Sequence, residues 1–141
     1  MATFTKVYQF AEDLCKGVHD FTSDGTCSVT VALLTNAEAP VQTDAILANV
    51  TPIAYTNLSS RIITGLTAVH TTGTVTLTAT DLVLTASGGP VATFRWILLY
   101  NDDPTSPADP LIGYYDYGSD LTLGDGETLT LDFTTGFATV A

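Results

Sequence analysis

The chain of 141 residues carries fifteen acidic side chains against four basic ones (Lys6, Lys16, Arg61 and Arg95), a formal charge of −11. A protein that reads nucleic acid, or adheres to an anionic membrane, needs clustered Lys and Arg, so neither partner is expected here. Threonine fills 26 positions, and this β-branched residue favours pleated, half-exposed surface, which points to a β-rich domain with a neutral-to-acidic skin.

The length suits one domain, residues 1–141, able to bury roughly two-thirds of its unfolded surface without a metal or disulfide. No apolar run approaches the ~18 residues of a membrane span. The opening MATFTKVYQF lacks the basic-then-apolar order of a secretory signal. Cys15 and Cys27 therefore read as reduced, partly buried thiols, ahead of a disulfide and then of a two-cysteine metal site. The sequons at Asn49 and Asn57 have no role without secretion.

In chain order, residues 1–6 form a candidate N-terminal arm. Val7, Phe10, Ala11, Leu14, Cys15 and Val18 then fall on one apolar stripe, which predicts a helix capped by Thr5, weakened at Gly17 and packed on the domain's own sheet. Glu12, Asp13 and Lys16 lie off that stripe. After the turn-rich FTSDG the period becomes two. Cys27, Val29, Val31 and Leu33 alternate with Ser28, Thr30 and Ala32, a strand with one wet face. Residues 43–50 suggest a short helical turn capped by Thr43, and residues 52–61 are irregular.

From Ile62 onward the pattern is almost entirely strand. Val75, Leu77 and Ala79 alternate with threonines, and the phase shifts near Thr80 and Asp81, which marks a turn or bulge. SGGP is a turn. In VATFRWILLY, Phe94, Trp96, Leu98 and Tyr100 share one face and Arg95, Ile97 and Leu99 the other. Both faces end apolar, as in a central strand. LIGYYDYG gives a further strand, SDLTL and ETLTLDF a hairpin around Gly124-Asp125-Gly126, and FATV the last strand. About eight strands with turns at this spacing predict an antiparallel β-sandwich or jelly roll with one N-terminal amphipathic helix.

The chemistry-bearing candidates concentrate in YNDDPTSPADPLIGYYDYG, residues 100–118. Asp102, Asp103, Asp109 and Asp116 could supply the carboxylate pair of a glycosidase, ~5–9 Å apart. Only Asp116, between two tyrosines on a strand, has the prospect of the burial that a working acid needs. The prolines and spacing do not fit an EF-hand, and Asp120, Asp125 and Glu127 near the DG turn read as an acidic surface turn more readily than as a calcium site. No nucleophile elbow, phosphate loop or metal-ligand spacing is present. His19 is placed to bond terminal helix carbonyls; His70 sits in a threonine-rich strand. Arg95 reads as stacked on Trp96 or paired with an acid. Accordingly no catalytic, metal or cofactor site is assigned. Tyr100, Asp102, Asp103, Tyr114, Tyr115 and Tyr117 are the candidate interface, since tyrosine offers contact area with a polar tip. The tyrosines could equally finish the core at a sheet edge.

The helix FAEDLCKGVHDF, the strand SVTVALLT, the Thr-rich middle and the run TFRWILLYNDDP…DPLIGYYDYGSDLTLGDGETLTLDF together resemble small β-rich virion proteins of tailed bacteriophages, often encoded near the head genes. The resemblance spans nearly the whole chain and is most specific in the C-terminal half. It implies a non-enzymatic structural role, a capsid decoration (cement) or minor capsid protein on the outer surface of the virion. It would be made in the host cytoplasm, bind the major capsid protein and form a small homo-oligomer, a trimer among the candidates. The alternative is a tail or fibre component that binds a host receptor or glycan.

Overall fold

The computed structural model describes residues 2–22 and 27–141. Most of FTSDG, and Thr26, lie outside the described residues. The fold is mainly β, a sandwich of antiparallel sheets with one helix near the N-terminus. Nine strands follow in order: β1 (Phe4–Lys6), β2 (Val29–Leu34), β3 (Thr67–Thr71), β4 (Thr74–Thr78), β5 (Leu82–Thr85), β6 (Phe94–Asn101), β7 (Leu111–Leu121), β8 (Thr128–Leu131) and β9 (Ala138–Val140). The helix α1 (Gln9–Cys15) falls between β1 and β2.

The main sheet has the order β1-β7-β6-β2, so the strand with two apolar faces is internal, as its pattern requires. Two smaller sheets, β3-β4-β9 and β5-β8, form the opposing side. A backbone bond between the residues that follow β4 and β8 joins them, Ala79 N–H to Phe133 O at 3.2 Å. Register places Val31, Leu33, Ile97, Leu99, Tyr115 and Phe4 on one face of the main sheet. On that side, the ring of Phe4 meets Phe137 edge-on at 5.8 Å, and Phe137 meets Phe133 at 5.7 Å.

Several expectations change in three dimensions. β2 has no wet face: all six of its residues are buried, Thr30 and Ala32 included. A 3-10 turn at Asn36–Glu38 packs on β6, and α1 packs on β7, so helix and turns cover the second face of the sheet. The irregular segment before β3 supplies the missing edge of β2. Ile53 N–H bonds to Leu33 O, Val31 N–H to Arg61 O and Ile63 N–H to Val29 O, each at 2.9 Å.

Of the candidate arm 1–6, Phe4–Lys6 is the edge strand β1, bound to the molecule's own β7. Thr5 therefore caps nothing; α1 begins at Tyr8 without a side-chain cap. Ala11 and Cys15 are exposed, whereas Asp13 is buried. Thr43 is not the cap of the next turn either. Asn49 Oδ1 accepts from the N–H groups of Ala45 and Ile46 at 3.0 and 3.1 Å. The phase shift at Thr80 and Asp81 is the passage from β4 to β5, between two sheets.

The proposed SDLTL/ETLTLDF hairpin does not form. β7 runs on to Leu121 against β6, and β8 pairs with β5 instead, Leu82 opposite Leu131 and Leu84 opposite Leu129. The turn itself is present, Glu127 N–H bonding Gly124 O at 2.9 Å. It links two strands of different sheets.

Candidate functional site

The stretch 100–118 is the end of β6, a loop, and most of β7. Asn101, the last residue of β6, is 1 % exposed and organises what surrounds it. Its Oδ1 accepts from the N–H of Ser28 at 3.0 Å and of Asp103 at 3.2 Å. Its Nδ2 donates to Val18 O and to His19 Nδ1, both at 3.3 Å. One amide thus ties the start of the loop to β2 and to the chain leaving α1. Sequence reading passed over it; the available signal was a polar residue closing an otherwise apolar strand.

The loop is fastened at its other end. Leu47 N–H bonds Asp109 O and Leu111 N–H bonds Ala45 O, both at 2.9 Å. Asp109 adopts a positive φ of 49°, a region that Asp tolerates better than most residues. Partial burial raises its carboxyl pKa, and the neighbouring Asp102 charge and hydrogen bond raise it further. Asp102 and Asp103 are exposed.

Asp116 is not the buried acid a glycosidase would need. It faces Trp96 across the β6–β7 ladder, where a register irregularity between Phe94 and Trp96 carries Arg95 alongside it. Arg95 Nε and Nη2 donate to Asp116 Oδ1 and Oδ2 at 2.8 and 2.9 Å, the fork geometry typical of this pair. The Arg95 hydrogen bonds hold the Asp116 carboxyl below the usual carboxylate range; desolvation opposes them, and the Gly118 N–H at 2.8 Å and the Arg95 charge add to the lowering. A carboxylate so held stays ionised and is a poor proton donor. Arg95 also donates to Asn36 Oδ1 at 3.1 Å and lies 5.3 Å from the Trp96 ring, so both expected roles of this residue are observed.

The tyrosines separate. Tyr100 is 5 % exposed and belongs to the core, so it offers no surface to a partner. Tyr114 is half-buried and stands edge-on to Trp96 at 6.0 Å. Burial raises its hydroxyl pKa, with the nearby Asp44 and Tyr8 adding to the rise. Tyr115, on the opposite face, packs on Phe4 at 5.0 Å, and burial, assisted by Asp132, pushes its pKa up to about 12. Tyr117 is 43 % exposed. Only Tyr117, Asp102 and Asp103 of the candidate interface are exposed, and Tyr114 contributes an edge.

Tyr115 and Tyr117 line a cleft of ≈ 270 Å³ with Phe4, Leu129, Asp132 and Phe137. Elsewhere the acids brace turns: Asp125 Oδ1 accepts from Gly88 N–H of a distant turn at 2.9 Å, and Glu127 Oε2 from Gly124 N–H of its own turn at 2.7 Å. Among the described residues, no three His, Cys, Asp or Glu side chains gather in a metal-ligating group.

His19 does not bond helix carbonyls. The chain reverses after α1 and buries the imidazole to 6 % exposure, stacked on Phe21 at 5.7 Å and tilted against Phe10 at 5.4 Å. Burial lowers its pKa to about 4, against a smaller opposing effect of Asp13. Cys15 and Cys27 are both free; Cys15 is exposed, and burial pushes the half-buried Cys27 thiol up to about 12. Among the described residues, no helix is long and apolar enough to cross a membrane.

No family model, curated protein or solved structure matches the chain.

Proposed function

We propose that the protein is a non-enzymatic virion structural protein of a tailed phage, a capsid decoration or minor capsid protein that binds and stabilises the major capsid lattice from outside. The observation that carries the reading is the state of the residues bearing the resemblance. Around the buried centre of the β6–β7 pair, the Arg95–Asp116 fork, the Trp96–Tyr114 edge contact and exposed Tyr117 present held aromatic and charged groups at the rim. Prefixed aromatic and charged groups lose little freedom on docking, which suits a permanent contact. The acidic charge keeps such a subunit off packaged DNA.

The test is made on particles. Purified virions carry the protein in many copies per head, and virions lacking it release DNA at a lower temperature. Deletion virions with an unchanged protein profile and unchanged thermal release would refute the assignment.

The aromatic cleft at Tyr115 and Tyr117 favours one second reading. Rings beside a carboxylate, here Asp132, are the chemistry that holds a sugar, as in a tail or fibre component that binds a host glycan. Low copy number at the tail tip would identify that role.

A further inference from the structure

β3 is the outermost strand of its sheet, and all five of its residues are exposed, Val69 at 54 %. Among the described residues, no strand or loop bonds along its outer side. The turn between β3 and β4 is two residues long, Thr72 and Gly73, with φ of 47° and 88°. Such a turn makes Thr71 and Thr74 the closing hydrogen-bonded pair. Alternation along the ladder then assigns Val69 to Thr76 and Thr67 to Thr78 as the other bonded pairs. The N–H and C=O groups of Ala68 and His70 consequently point away from β4.

Natural edge strands are commonly blunted by lysine, proline, a bulge or a covering segment. β2 has the covering segment described above, and the three-residue β1 ends in Lys6. Among the described residues, β3 has none of these. From Ile62 to Thr80 the chain contains no Asp, Glu, Lys or Arg, the flanking charges being Arg61 and Asp81.

We propose that β3 is a self-association edge, on which a second copy of this chain adds its own β3 antiparallel about a two-fold axis at Val69. Charge selects the occupant. At −11, two copies repel wherever their acids face each other, and a basic partner would seek those acids; a neutral edge admits a like-charged copy. The sequence TAVHT also fits itself. Centring on Val69 sets Ala68 opposite His70 of the second copy, and these are the residues whose bonding groups point outward. Each Ala68–His70 pair exchanges both N–H···O=C bonds, while the two Val69 side chains meet at the closer, non-bonded position. Thr67 falls opposite Thr71. The result is a continuous six-stranded sheet, β9-β4-β3 joined to its copy. An isologous contact closes at two, so the assembly is a dimer and not a trimer. The inference rests on the geometry and charge of this edge, not on the place in a virion proposed above.

The test uses the full chain in sedimentation velocity from micromolar to sub-millimolar concentration. Ala68→Pro removes an outward N–H and leaves the β3–β4 ladder intact; Val69→Lys places like charges on the axis. The expected result is a dimer that each substitution weakens by about tenfold or more, with the circular dichroism spectrum unchanged. In a Cys15→Ser background, Val69→Cys should also give a disulfide-linked dimer on oxidation. A chain that stays monomeric, or a dimer indifferent to both substitutions, overturns the proposal. Both outcomes are read on purified protein, so they are independent of whether virions carry it.

Discussion

Arg95 and Asp116 meet across β6 and β7 as a two-pronged ion pair, Nε to Oδ1 at 2.8 Å and Nη2 to Oδ2 at 2.9 Å. The side chains are 27 % and 38 % exposed, and pairs in contact with solvent are screened, so the fork fixes geometry more than it adds stability. Asp116→Asn should therefore lower the denaturant midpoint only slightly. Because the folded pKa of Asp116 lies below its unfolded value, the stability it contributes is present above the ordinary carboxylate range and is lost as pH falls through the folded pKa. Urea titrations at neutral and strongly acidic pH check this: the difference between wild type and variant should shrink in acid.

Local pattern identified β6 as central because two apolar faces can be buried only inside a sheet. It could not identify partners. The alternation of Leu129 and Leu131 in β8 serves equally well against residues 119–123 or against β5, and only the assembled core decides for β5. The stripe from Val7 to Val18 marked the helix and buries Val7 and Phe10, but it overstated the length and the buried face. The helix is just seven residues long, and packing on β7 turns Asp13 inward while leaving Ala11 outside. The roles of Asn101 and His19 depend on contacts more than eighty residues apart in sequence, beyond the reach of any periodicity.

Asn101→Ala should be among the most destabilising single changes near the loop. It strips partners from the Ser28 and Asp103 N–H groups and from Val18 O, at a site 1 % exposed. Leaving these part-buried groups unpaired costs about 1–3 kcal/mol in total, since water can reach some of them. Urea denaturation measures the loss, and amide exchange should accelerate first at Ser28 and Asp103.

Gly113 lies where β1 crosses β7, opposite Lys6. A Cβ there would collide with the carbonyl oxygen of Thr5 and the ring of Phe4. Gly113→Val should therefore lift β1 off the sheet while β6 and β7 stay paired. The expected signature is fast amide exchange in β1, and an unchanged rate in the centre of β6. Equal loss of protection in both strands would show that β1 is required for the sheet itself.

His19 makes the fold acid-sensitive, through a defined proton. Asn101 Nδ2 faces Nδ1, so Nδ1 is the acceptor and Nε2 carries the hydrogen. Protonating Nδ1 would set two donors against each other in a buried site. The folded pKa is accordingly about 4 against 6.5 in the unfolded chain, with the nearby Asp13 charge only partly offsetting burial. Between these values the unfolded state binds more protons, so stability falls as pH drops from 6.5 towards 4 and stops falling, on this account, below that. The shift corresponds to about 3 kcal/mol across the window. His19→Phe, whatever its absolute stability, should remove that slope from a plot of unfolding free energy against pH. A variant that keeps the full wild-type slope would assign the acid sensitivity to the carboxylates instead.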